Sequence, residues 1–392
     1  MSEKPADSRV NRRTVLQGVG SAVGVASLSN VVGAAERKRR IVTGRGGLKQ
    51  EPVEKKKVPV QWHEHEKALR QVYNQLFGAL QHIRNNSQFG DHLIAMYQDG
   101  SSRSIGGYTA TQPVIEIAEE APSGLEEQLP SVLEDVGVSV SNDLLLNEIQ
   151  YERINHNKTL LCGGAETTIE PYPGGIVIWE KNQSTHQGTA GYRMHDGNKE
   201  YMLTANHVFV DNCTTKATGE VAAAANNATI GTFEDAHALH DWCLVPANNQ
   251  GITDIANEIY WDGYSYTLTG YKTRDGIASM VDKTGEAYKS GDGTGYRTGT
   301  IRGYNEGGFT GCPRFDTDGV KTEVDIAPGD SGGPIFALTG CSYGSCEALA
   351  INNMSIAKGS YNGTACDGDS TQPKTVGWPA YKIVNNNPYT VG

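Results

Sequence analysis

The sequence predicts a chain that is mainly β from about residue 160 onward, forming two packed antiparallel β-barrels behind a smaller α/β region. Three observations predict this. Beyond residue 160 helical periodicity fades, while Gly, Asn, Thr and Tyr punctuate many short apolar runs, the composition of barrels built from short strands. In residues 62–85, Leu69, Val72, Leu76, Leu80 and Ile83 recur every three or four residues, the spacing of an amphipathic helix. Then "PVIEIAEEAPSGLEEQLPSVLEDVGVSV" reads strand, short helix, strand, with Val136, Val138 and Val140 alternating. No internal repeat accompanies these patterns.

The N-terminus gives the first boundary. Arg12 and Arg13 precede an apolar stretch rich in Gly and Ala that ends in small residues, the pattern of a twin-arginine export signal cleaved near Ala35. The alternative, a membrane anchor, is disfavoured because glycines and serines interrupt the apolar run. The expected layout is therefore residues 1–35 as signal, 36–155 as the α/β region and 156–392 as the β-rich domain.

Within the β-rich domain, "IAPGDSGGPIF" (326–336) sets Ser331 between glycines just before a strand-like run. A serine hydroxyl attacks only if a neighbouring base takes its proton and backbone amides hold the oxyanion. Glycines permit both the tight turn and the convergence of the Gly329 and Ser331 amides. A plain turn between strands is the alternative, and partner residues must decide between them. The fragment also fits the G-x-S-x-G elbow of α/β-hydrolases, but there the histidine follows the serine, and the last histidine here is His240. A base must lie upstream. In "YMLTANHVFV" His207 ends an apolar β-favouring run, and in "HDWCLVP" Asp241 opens another. The order His207, Asp241, Ser331 is one of three known chain orders for such a triad.

With "LTANH", "DWCLV" and "GDSGGP" in this order, the chain resembles the chymotrypsin-fold serine proteases over roughly residues 160–390. "YKSGDGTGYRTGTI" (288–301) is similar to the segment opening the second barrel in the secreted bacterial α-lytic protease and streptogrisin branch. The resemblance implies two antiparallel six-stranded Greek-key barrels with the triad between them, preceded by a folding-assisting pro-region. The alternative for residues 36–155 is a permanent accessory domain. It also implies an acyl-enzyme mechanism on protein or peptide substrates, a Lys289 to Asp330 ion pair and a substrate-binding wall at Ile351, Asn352 and Asn353. Asp325 stands six residues before Ser331, either as an acid that receives Lys or Arg, or as the replacement of a pocket-wall cysteine. The chain departs from that branch at its bridges: Val208, Tyr288, Thr298 and Asp325 stand where cysteines are usual.

The seven cysteines must therefore pair differently. Cys341 and Cys346 flank a short turn between strand-like runs, which suits a cross-hairpin disulfide, and Cys243 inside "DWCLV" suits a buried thiol. Residues 151–392 carry 27 acidic against 17 basic side chains, so −10 of the formal charge of −11 belongs to the catalytic half. Such a surface disfavours nucleic acid and anionic membranes. "WHEHEK" places His63 and His65 two apart, not at the i, i+4 spacing of a zinc helix. His237 and His240 belong to the loop before Asp241, so neither metal nor cofactor is expected. The sequons at Asn227 and Asn362 are weak signals in an exported microbial protein. The expected protein is a secreted monomeric serine endopeptidase made as a precursor. Its rival is a binding module that retained the fold, and loss of a triad residue would favour that rival.

Overall fold

The computed structural model describes residues 37–392 less 88, 119, 136–149, 155–170, 182, 211–213, 224–226, 248–254, 283–286, 309–318, 325, 327–328, 343–344, 354–355 and 359–373. The signal, the alternating valines at 136–140, Asp325, Asn362 and the cysteines at 162, 213, 312 and 366 lie outside the described residues. Among those described, strands dominate, in one large sheet and two smaller ones, and the helices are few. This is the mainly β class that the sequence predicts.

The N-terminal segment begins with two strands, β1 (Lys38–Gly46) and β2 (Glu51–Pro59), and a long helix, α1 (Val60–Asn86). Leu69, Leu76, Leu80 and Ile83 of α1 are buried, as their spacing predicts, and Val72 is half-buried. Leu76, Leu80 and Ile83 pack on β3 (Leu93–Ile105), β4 (Tyr108–Ala118) and α2 (Leu125–Asp135) through Leu93, Met96, Ile115, Ile117, Leu125, Leu129 and Leu133. Gly106 and Gly107, both at positive φ, close the β3–β4 hairpin in the two-residue turn that such glycines favour. Residues 36–392 form one compact unit, and the expected boundary after residue 155 falls inside it. Two sheet contacts show why. β1 pairs with Tyr264–Lys272 at Gly44↔Lys272 and Arg45↔Tyr271, and β3 pairs with Gly295–Gly308.

Toward the C-terminus, a pair of apolar cores meet along a few strands. Strand Glu200–Thr204 turns Met202 into one core and Tyr201 and Leu203 into the other. Strand Trp242–Pro246 does the same, with Cys243 and Val245 on one side and Trp242 and Leu244 on the other. Period-two alternation thus yields strands apolar on both faces, which fixes their register strongly. The Cys341–Cys346 disulfide is formed across its hairpin, and Cys243 is a buried free thiol.

Candidate active site

The register of those two strands brings His207 and Asp241 together. Glu200–Thr204 runs antiparallel to Trp242–Pro246 with Thr204 opposite Cys243. The residues just past the end of the first strand therefore lie beside the one just before the second. Asp241 adopts φ 55°, a left-handed conformation that Asp tolerates better than most residues, and its side chain is almost fully buried. Its Oδ1 accepts from the His207 backbone N–H at 2.7 Å, and its Oδ2 lies 2.6 Å from His207 Nδ1. One carboxylate thus fixes both the backbone and the ring of His207.

Ser331 comes from the other side of the molecule, in the turn ahead of strand Pro334–Ser342. Its Oγ lies 2.9 Å from His207 Nε2. The turn is clamped to strand Gln183–Thr189, where Thr189 N–H donates to the Ser331 carbonyl at 2.8 Å and the Thr189 hydroxyl donates to the Gly329 carbonyl at 2.7 Å. Gly333 N–H closes the turn on the Asp330 carbonyl at 3.0 Å. Among the described residues no acceptor takes the Gly329 or Ser331 amide.

Gly332 has φ +88°, and a Cβ there would lie 2.1 Å from Thr204 Oγ1, 2.5 Å from Thr189 O and 2.7 Å from Ala205 N. Two of these neighbours are backbone and cannot move aside. Gly332→Ala is therefore expected to cost at least about 2 kcal/mol, read as a lowered Tm in a Ser331→Ala background that prevents self-digestion. An unchanged Tm would show that the turn relaxes freely.

Asp330 is fully buried beside the serine, where an uncompensated carboxylate would oppose a developing oxyanion. Lys289 Nζ, also fully buried, lies 2.5 Å from Asp330 Oδ2. Thr294 adds its backbone N–H at 3.0 Å and its hydroxyl at 2.8 Å, and Lys289 also reaches the Thr294 hydroxyl. Local sequence prepares this arrangement, because Lys289 lies in strand Ala287–Gly291, paired to Ile335 just past the serine turn.

Burial of the His207 ring works to lower its pKa, while the Asp241 charge and the hydrogen bond to it raise it. The pKa ends above the ordinary imidazole value. Burial dominates at Cys243 and pushes its thiol well up, which keeps it protonated and inert.

The expected substrate wall is a buried strand end. Ile351, Asn352 and Asn353 lie in strand Ser345–Asn353, but each is fully buried, and Asn352 bridges Pro379 on the edge a substrate strand would need. Asn353 Nδ2 donates instead to the Asp241 carbonyl at 3.3 Å, so it braces the Asp241 backbone from behind. Sequence reading did not reveal that role. Some of the other histidines have structural partners. His65 bonds the Thr111 carbonyl at 3.0 Å, and His240 is stacked between His237 and Trp378 with ring centroids 3.9 and 3.8 Å away.

No family model matches the chain. Protease A of Thermobifida fusca is similar to it at 18% identity over 56% of this chain and 97% of its own, with a TM-score of 0.39. A glutamic-acid-specific serine protease, described as using a histidine triad in substrate binding, is 20% identical over 56% and 99%, with a TM-score of 0.40. Cellulomonas bogoriensis chymotrypsin is 20% identical over 56% and 97%, also at 0.40.

Proposed function

We propose that the chain is an exported serine endopeptidase that cleaves peptide bonds through an acyl-enzyme. The observation that carries this reading is the unbroken relay from Ser331 Oγ through His207 to Asp241, at 2.9 and 2.6 Å. In the proposed cycle His207 Nε2 takes the proton of Ser331 Oγ as that oxygen adds to the substrate carbonyl. The carbonyl oxygen becomes an oxyanion facing the Gly329 and Ser331 amides. Collapse breaks the C–N bond, and the His207 proton passes to the leaving amine. Water then repeats the sequence on the ester: His207 takes its proton, the C–O bond to Ser331 breaks, and Oγ recovers the proton. Asp241 holds the tautomer that leaves Nε2 free to accept, and stabilises the imidazolium.

A precursor suits the same reading. A protease made in one chain with residues 36–155 holds its own linker at high effective concentration. Residues 150–154 are strand, parallel to Val114–Ala118 of β4, so the self-cleavage site is proposed C-terminal to Ile154 and before about residue 170. Ser331→Ala would accumulate uncut.

A fluorophosphonate tests the nucleophile directly. Ser331 Oγ is expected to displace fluoride and gain one phosphonyl group, located by peptide mass mapping and absent from Ser331→Ala. Failure of the wild type both to label and to hydrolyse a denatured protein substrate would overturn the proposal.

A further inference from the structure

A cavity of about 590 Å³ lies at the junction of the N-terminal segment and the β-rich region, and shares no lining residue with the serine site. Arg39, Arg40 and Arg45 reach it from β1 and Arg70 from α1. Arg274 comes from the helix Arg274–Ala278, here α3, and Lys382 from the helix Ala380–Asn386, here α4. His63 adds an imidazole. Six permanent cations thus line one space in a chain whose formal charge is −11.

Asp275 is the one carboxylate in the lining, and it is engaged by Arg70. Arg39 lies 3.5 Å from Glu64, but both side chains are about half exposed, so that pair is weakly held. Arg45 donates to the Gln50 carbonyl, a neutral acceptor that leaves its charge uncancelled. Gathering like charges around one concavity costs folding energy unless something negative enters, and concave walls concentrate the field. Five of the six cations are arginines, whose planar forks match phosphate oxygens two at a time. The arginines come from three elements, β1, α1 and α3, which suits a chain of linked phosphates better than a single flat carboxylate.

We propose that this cavity binds a small multivalent phosphate of the tripolyphosphate class. The bound anion would hold β1 and α1 against α3 and α4, and so tighten the attachment of the N-terminal segment.

The full chain carrying Ser331→Ala, which cannot digest itself, should be titrated with tripolyphosphate by calorimetry at about 150 mM NaCl, where weak surface attraction is largely screened. Expected are saturable binding below about 100 μM, a raised Tm, and affinity for citrate at least about tenfold lower. Arg40→Ala and Lys382→Ala remove cations from two different elements, β1 and α4, and each should weaken binding about tenfold or more. Arg40 is exposed and Lys382 partly so, and a Tm measured without ligand verifies that each variant is folded. Lys67→Ala, exposed on α1 outside the cavity, should bind as the parent does. Absence of heat up to about 1 mM tripolyphosphate would overturn the proposal. So would equal affinity for citrate, or unchanged binding in both cavity variants.

Discussion

Ser331→Ala, His207→Ala and Asp241→Asn are each expected to lower kcat for peptide hydrolysis by about four to six powers of ten, while the folded structure persists. In the proposed cycle the three act on one proton path, so Ser331→Ala combined with His207→Ala should be scarcely slower than either alone. The pH dependence separates their roles. His207 works as a base only when neutral, and Asp241 holds its pKa above the ordinary imidazole value. Activity should therefore rise with pH through that raised value, and the acid limb of kcat/KM reports it. Asp241→Asn removes the charge that favours imidazolium, so its residual activity should show the limb displaced to lower pH. Near-normal turnover in any single variant would remove that residue from the mechanism. An acid limb unmoved by Asp241→Asn would detach the carboxylate from the base.

The features of this site legible in the sequence are those that depend on local chemistry. His207 ends one apolar run and Asp241 opens another, and antiparallel pairing of two doubly buried strands was enough to make them meet. A buried carboxylate at the Asp330 turn needs a cation on charge alone, and the resemblance of the segment around Lys289 supplied which one. What escaped was set by packing at a distance. "AINN" reads as an available strand, yet Pro379 and Pro334 occupy its two edges around Asn352 and Asn353. "RKRRIVTGRG" and "EPVEKKKVP" lack the apolar alternation of strands, and became β1 and β2 because one edge of β1 found Tyr264–Lys272 more than two hundred residues away. The cationic cavity has the same origin, since its charges come from sequence neighbourhoods that nothing local links.

The expected consequence of that long-range pairing is that residues 156–392 do not fold alone, and the most sensitive probe is Glu116. This glutamate on β4 and Lys321 on strand Gly319–Glu323 are both fully buried and paired with each other. Lys321 also lies 3.5 Å from the centre of the Tyr97 ring of β3, a second N-terminal partner. Nearby, Glu66 of α1 accepts from the Tyr304 hydroxyl at 2.5 Å and from Thr111 N–H and hydroxyl at 3.0 and 2.7 Å. Ile41, Val58 and Trp62 meanwhile enter the larger apolar core. Removing the N-terminal segment would strand a buried ammonium without its counter-charge and expose the edge of Tyr264–Lys272. Glu116→Ala should thus cost about 3–5 kcal/mol, because it removes the carboxylate paired with the buried Lys321 ammonium. Glu116→Leu with Lys321→Met should recover most of that loss, since a buried ion pair replaced by apolar groups of similar size is often neutral. Denaturant titration in the Ser331→Ala background reads all three. On the same grounds a chain cut after Ile154 should keep its two pieces together through gel filtration and release them only in denaturant. If residues 156–392 expressed alone reach the Tm of the full chain, or Glu116→Ala costs under about 1 kcal/mol, the N-terminal segment is dispensable to the fold.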